Sequence, residues 1–349
     1  MDNKPRVILV TGATGKQGAA VVKSILRSYP GRFYVLGLTR KIESFKAQSL
    51  IQICHGSETL RLVEGDLDDV PNVFAEARRV VKAEVNPDCD DIWGVFSVQV
   101  SMGKGVTAES EISQGKALVD ESIRNGVSHF VYSSVERGGD EASWNNQTPI
   151  PHFQSKYHIE HYLRHQAAAA GGKMGWTILR PVAFMDNLTP GFATQVFVTA
   201  LHNWLGDKPL QWVATTDIGV FAAKAFAYPE AWNGRAMGIA GDELTFEQMD
   251  DVFDKITGDN VPTTISLLGS ALTWLSAELR LMIGWFASDG YRADIQACRD
   301  EYPQMSTMER WLVKDSPFEV ILDDWDDDEE EEEEEEEGPT AFERVYGVV

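Results

Sequence analysis

A chain of 349 residues, 43% hydrophobic and 24% charged, can bury a full core as one large domain or as two smaller ones. Its net charge of −23 is concentrated: Asp323 to Glu337 holds 5 Asp and 9 Glu with no basic residue, and setting those 14 charges aside leaves −9. A remainder so charged offers no general attraction to nucleic acid or to an anionic membrane surface. The polar Asp2-Asn3-Lys4-Pro5-Arg6 leads straight into a first strand, Val7 to Val10, without a secretory pattern. Gly12, Gly15 and Gly18 follow at a spacing of three, and an amphipathic helix starts at Ala19 with Val21, Val22, Ile25 and Leu26 on one face. A strand ending in a glycine turn leaves the helix's first N–H groups and its positive dipole end open to a phosphate. Gly12 allows the tight turn, Gly15 the approach of a pyrophosphate, and Gly18 the close packing of helix on sheet.

The second strand, Phe33 to Thr39, ends where an adenosine ribose would lie. An NAD-preferring site wants a carboxylate there, whereas this chain places Arg40-Lys41, with Lys46 one or two helical turns on. A guanidinium at that point matches a 2′-phosphate and so NADP(H), through charge-assisted hydrogen bonds of about 1.5–3 kcal/mol. A basic helix start on a solvated surface is the alternative. A helix over Ser44 to Ile53 and a third strand, Leu60 to Val63, lead to Glu64-Gly65-Asp66-Leu67, where Asp66 can accept from the adenine amino group and Leu67 can cover the ring. Asp68 and Asp69 suit the start of the next helix. The fourth strand is read as Ile92 to Val98, its end bordering the nicotinamide-side ribose; a helix over Glu109 to Asn125 and a fifth strand, Ser128 to Tyr132, come next. Strands alternating with helices at this pace predict an α/β fold, a Rossmann-type doubly wound parallel sheet with ligands at its C-terminal edge.

After Ser133-Ser134 an irregular polar stretch, Val135 to Pro151, precedes His152-Phe153-Gln154-Ser155-Lys156 and a helix to about Ala170. A strand from Gly175 to Leu179 runs into Arg180-Pro181-Val182-Ala183-Phe184-Met185-Asp186-Asn187. Beyond Pro190 the pattern turns to aromatic-rich helices carrying Trp204, Trp212, Trp232, Trp274 and Trp285, with Asp217 read as the cap of a helix through Tyr228. The expected organisation is a dinucleotide-binding domain over 1–185, to whose sheet later segments return, a smaller α/β domain over 186–320 closing over the cofactor edge, and an acidic, disordered tail over 321–349. That tail would bind a basic protein surface if it binds anything.

Three cysteines, Cys54, Cys89 and Cys298, have no paired spacing, which argues against a disulfide framework or structural zinc. They fit a cytoplasmic or nuclear protein. Ile265 to Phe286 is interrupted by Glu278 and Arg280, so it reads as core packing, or as a partner or dimer face, and not as a membrane span. His158, His161 and His165 share helical spacing but lack a carboxylate or cysteine to complete a metal set, so no metal is expected.

The Gly-Ala-Thr-Gly-Lys-Gln-Gly loop with Thr14, Lys16 and Gln17, together with Thr39-Arg40, Gly65-Asp66, His152-x-x-x-Lys156 and Leu179-Arg180-Pro181-x-x-Phe184-Met185-x-Asn187, resembles the NmrA-like proteins, atypical relatives of the short-chain dehydrogenases. Asp217-Ile218-Gly219 and Gly290-Tyr291-x-Ala293-Asp294-Ile295 fit fungal members. The resemblance spans about residues 5 to 313. It implies NADP(H) held by the glycine loop and Arg40, with Lys156 near the nicotinamide ribose; Lys41, Asp66, Leu67, Val98, Phe184 and Asn187 are the further residues expected to line the cofactor. Catalytic relatives carry a Tyr four residues before that Lys as proton donor, and a Ser after the fifth strand to orient a carbonyl. Here His152 holds the Tyr position, while Ser133 or Ser134 and Lys156 remain. Family regulators that lack the Tyr bind dinucleotide and contact partner proteins, including GATA-type transcription activators, whereas other relatives reduce substrates with NADPH through the Lys alone. A redox sensor and an NADPH-dependent reductase of a small carbonyl or enone are therefore the two expectations, and an imidazole at position 152 is itself a plausible acid.

Overall fold

Short apolar runs build the centre of the protein. In the computed structural model, which describes residues 5–54, 57–85, 91–103, 105–269 and 276–321, strand β1 (Arg6–Val10) is buried at every position after the first. It is flanked by β2 (Phe33–Thr39) and β4 (Gly94–Ser97), with β3 (Leu60–Glu64) outside β2, and β5 (His129–Ser133) and β6 (Gly175–Pro181) beyond β4. Register is set by pairs such as Ile8 with Val35, Leu9 with Val95 and Val131 with Thr177, and these neighbours run parallel. The strands β7 (Ala183–Phe184) and β8 (Leu210–Val213) belong to a second sheet, while β9 (Arg235–Ile239) returns beside β6. The large sheet has the order β3-β2-β1-β4-β5-β6-β9, and its direction of winding reverses between β1 and β4.

Helices α1 (Lys16–Ser28), α2 (Phe45–Ile53), α3 (Val70–Val80), α4 (Ala108–Arg124) and α5 (Pro151–Ala169) connect the first six strands. Several boundaries differ from expectation for local reasons. The first helix starts at Lys16, three residues early, because extended Gly15 is its N-cap and the polar Lys16 and Gln17 carry no hydrophobic signal. The fourth strand stops at Ser97 because Thr11 takes the backbone of Val98 instead: the Thr11 hydroxyl accepts from Val98 N–H at 2.8 Å and donates to its carbonyl at 2.9 Å. The fifth helix opens at Pro151, whose fixed φ suits a first helical position, so His152 and Lys156 are consecutive turns of one helix. Ser44 caps α2, and Asp69 caps α3 at the helix start read for it from the sequence.

The chain forms two compact units, Met1–Pro181 with Thr215–Gly238, and Val182–Ala214 with Ile239–Val349. In the first, α7 (Thr215–Ala227) packs on α1, with Gly219 against the backbone of Ala20, and Phe226 fills the space beside Gly94. This helix opens two residues before Asp217, which lies buried in its first turn. Trp232 is fully buried in the same unit, in the helical turn Pro229–Trp232. In the second unit β8 pairs with β7 in parallel and with β10 (Asp242–Leu244) antiparallel. Its helices, among them α6 (Phe192–Leu205) and α8 (Phe246–Thr257), bury Met249, Phe253 and Ile256 with Trp311 and Leu312. Trp274, Cys89 and the acidic tract lie outside the described residues. Among the described residues, no helix is long and apolar enough to cross a membrane.

Candidate functional site

The glycine loop sits at the end of β1, beside the reversal point. Gly12 has φ +59°, and a Cβ there would come within 2.9 Å of the Val98 side chain. Gly15 N–H donates to the Gly12 carbonyl at 2.8 Å, closing the turn. At Gly18 a Cβ would lie 2.2 Å from the Gly12 carbonyl oxygen, so α1 can rest on the loop only because no side chain is there. Gly15 brings no side-chain acceptor to the helix end, and the first turn of α1 holds no acidic residue. Nothing of the helix's own chemistry therefore competes with an incoming anion for that end. Gln17 is met from β5: its side-chain oxygen accepts from the Ser133 hydroxyl. Thr14 lies in the loop between Gly12 and Gly15.

At the ends of β2 and β3, Arg40, Ile42, Glu64, Gly65, Asp66, Asn72, Glu76 and Arg79 line one groove. Arg40 is exposed in the groove and Lys41 is exposed next to it in the chain, while Thr39 pairs with Glu64 across the strands. Asp66 caps the 3-10 turn Leu67–Asp69, accepting from Asp68 N–H at 3.1 Å, and Leu67 is half-buried on that turn. Glu64 was not among the expected residues. It accepts from Ile42 N–H at 3.1 Å and so fixes the turn that carries Arg40 and Lys41, a non-local contact with no sequence signal. Gln99 lies next to the half-buried Val98, at the strand end expected beside the nicotinamide-side ribose: its amide donates to Ser97 Oγ at 2.9 Å, while its buried oxygen has no hydrogen-bond partner among the described residues.

The residues expected at the reacting end are separated by their partners. Lys156 Nζ donates to Glu111 Oε1 at 2.8 Å, with Glu111 fully buried in the first turn of α4. His152 is buried one turn earlier on α5, its ring edge-on to Phe153. The Ser134 hydroxyl donates to Glu160. Glu160 in turn receives Arg137 and Arg180, each with an N–O distance of 2.8 Å, and all three side chains are sealed from solvent. Arg180 also lies over the Trp144 ring at 4.3 Å and donates to the Asp140 carbonyl. Burial alone would raise the Glu160 carboxyl, and the two guanidiniums outweigh it, holding the group below its ordinary range. The Arg180-Pro181 string thus serves an internal ion cluster as well as a family pattern. Tyr157 faces Arg137 and His161, 5.7 Å from the former's guanidinium carbon, and is no substitute for a proton donor beside Lys156. His161 places its Nε2 2.9 Å from the Trp144 carbonyl. Phe184 ends β7 and Asn187 the following 3-10 turn, both within the second unit.

A family model described as NmrA-like matches residues 4–304. The chain belongs to the NmrA-like family. It is 27% identical over 277 residues to the NmrA-like family domain-containing oxidoreductase malD of Malbranchea aurantiaca, covering 74% of this chain and 75% of that protein. It is 31% identical over 269 residues to the oxidoreductase notA' of Aspergillus versicolor, covering 71% and 68%. Among solved structures, NmrA, a negative transcriptional regulator in complex with NADP, aligns with a TM-score of 0.59 at 16% identity over 89% of this chain and 95% of that one. The NADP(H) complex of Citrobacter sp. triphenylmethane reductase aligns at 0.63 with 15% identity over 87% and 98%. These likenesses establish an NmrA-type, Rossmann-like fold, with regulators and reductases alike among its bearers.

Proposed function

We propose that this NmrA-like protein binds NADP(H) along the C-terminal edge of its large sheet and acts as a redox sensor for a protein partner such as a transcription factor. The glycine loop supports the pyrophosphate, with Lys16 and Gln17 in the first turn of α1. The groove of Arg40 and Asp66 supports the adenosine and its 2′-phosphate. When bound, the nicotinamide would supply hydride chemistry. The observation that carries the sensor reading is the commitment of Ser134, the hydroxyl that orients a carbonyl in catalytic relatives, to the buried Glu160. Holding a substrate carbonyl would need that hydroxyl released. The second reading, an NADPH-dependent reductase of a small carbonyl or enone, is favoured by the oxidoreductase names of the relatives and by His152 standing one turn before Lys156.

Calorimetric titration of NADP⁺, NADPH, NAD⁺ and NADH tests the cofactor. Arg40→Ala is expected to weaken NADPH roughly ten- to a hundredfold while leaving NADH unchanged. Indifference of the wild-type protein to the 2′-phosphate refutes the role of Arg40. Absence of NADPH oxidation with a panel of enones and aldehydes is expected for a sensor. Steady oxidation, abolished by Lys156→Ala, overturns the sensor reading in favour of the reductase.

A further inference from the structure

Three donors converge on the buried carboxylate of Glu111. Lys156 Nζ and Ser101 Oγ reach Oε1 at 2.8 and 3.1 Å, and the Ser155 hydroxyl reaches Oε2. A carboxylate with no exposed surface is costly unless fully paired, and the arrangement pairs it from two other chain segments, the loop after β4 and α5. The ammonium has three N–H donors, and Glu111 is its one hydrogen-bond partner among the described residues. Two donors are left for a ligand, on a side chain 10% exposed. The first turn of α4 lies at the C-terminal edge of the sheet, so the carboxylate holds those donors at the edge where ligands of such sheets sit.

We propose that Glu111 is a positioning residue for the dinucleotide. It fixes the Lys156 ammonium at the sheet edge and, through Ser101, ties it to the loop leading out of β4. The assignment rests on the reading that NADP(H) occupies this edge. Glu111→Gln is a near-isosteric probe. Lys156 and Ser101 can still donate to the amide oxygen, while Ser155, whose hydroxyl also lies 2.9 Å from the His152 carbonyl, can donate there and accept from the amide nitrogen. Only the charge is lost.

The test is a double-mutant cycle of Glu111→Gln and Lys156→Met in the full chain, read by calorimetry with NADPH and by thermal melting. Each single variant is expected to weaken NADPH about tenfold, the scale of one charge-assisted hydrogen bond. In the Lys156→Met background, Glu111→Gln is expected to cause no further loss, because its effect passes through the ammonium. Ser101→Ala, which exposes no charge, is expected to weaken NADPH about threefold and only where Lys156 is present. It keeps the test available should Glu111→Gln fail to fold. Equal losses in both backgrounds, or none in either, overturn the assignment. A wild-type protein that takes up no NADPH removes the cofactor reading and this role together, while the melting cycle still reports the ion pair: non-additive losses in midpoint confirm Glu111–Lys156, additive ones do not.

Discussion

At the scale of single residues, burial decides what each polar group can do. Lys156, Ser134 and Arg180 sit within one short-chain pattern, yet Lys156 goes to Glu111, while Ser134 and Arg180 share Glu160. The glycines and Arg40 were legible because their chemistry is local: a φ of +59°, a missing side chain, a charge at the end of a strand. Glu111 and Glu160 were not, since their charged partners stand 45 and 20 to 23 positions away in the chain. His129 gives the clearest pH signature. Its ring is stacked near Trp93, edge-on to Phe226, and 3.0 Å from the Thr177 hydroxyl. Burial pulls its pKa down from 6.5 to about 4. Between those values the unfolded chain binds a proton that the folded chain refuses, so stability falls as pH falls through the window, by about 3 kcal/mol in all. His129→Gln, which can still donate to Thr177, is expected to flatten that slope in urea midpoints measured from pH 7 to 4. An unchanged slope places the proton uptake elsewhere.

At the scale of elements, the early strands were readable because β1 and β2 are near-continuous apolar runs, as strands buried on both faces must be. The start of α5 was not, because Pro151 and the mixed residues after it resemble loop as much as helix until the backbone is seen. The return of α7 and β9 to the large sheet had no local mark that tied those particular segments to it. Two helical glycines show how packing partners set tolerance. A Cβ at Gly219 would lie 2.6 Å from the backbone oxygen of Ala20, which cannot yield without moving α1. At Gly115 the nearest atom is the Cδ1 end of the Ile159 side chain at 2.5 Å, which can change rotamer. Both changes gain the same helix propensity. Gly219→Ala is therefore expected to lower stability by about 1–3 kcal/mol and Gly115→Ala by less. Chemical denaturation of the two variants ranks them, and a larger loss at Gly115 contradicts the packing described.

At the scale of the whole molecule, the first unit is made of two separated pieces of chain, with residues 182–214 leaving between them. A chain ending at Pro181 lacks both the strand beside β6 and the helix on α1, so it leaves an open sheet edge and an uncovered apolar face. Such a truncated chain is expected to show no cooperative thermal transition and no NADPH binding. A sharp melt would mean that residues 215–238 are dispensable to the core.

The same return of the chain sets a timetable for synthesis. At about 5–20 residues per second, translation from Pro181 to Gly238 takes on the order of several seconds. Throughout that interval β6 is a bare edge, able to pair with any nascent strand nearby. Growing chains on one messenger are the nearest source of such strands. The delay that separates β6 from the last strand of its sheet makes crowded translation a stage at which this protein is exposed to misassembly.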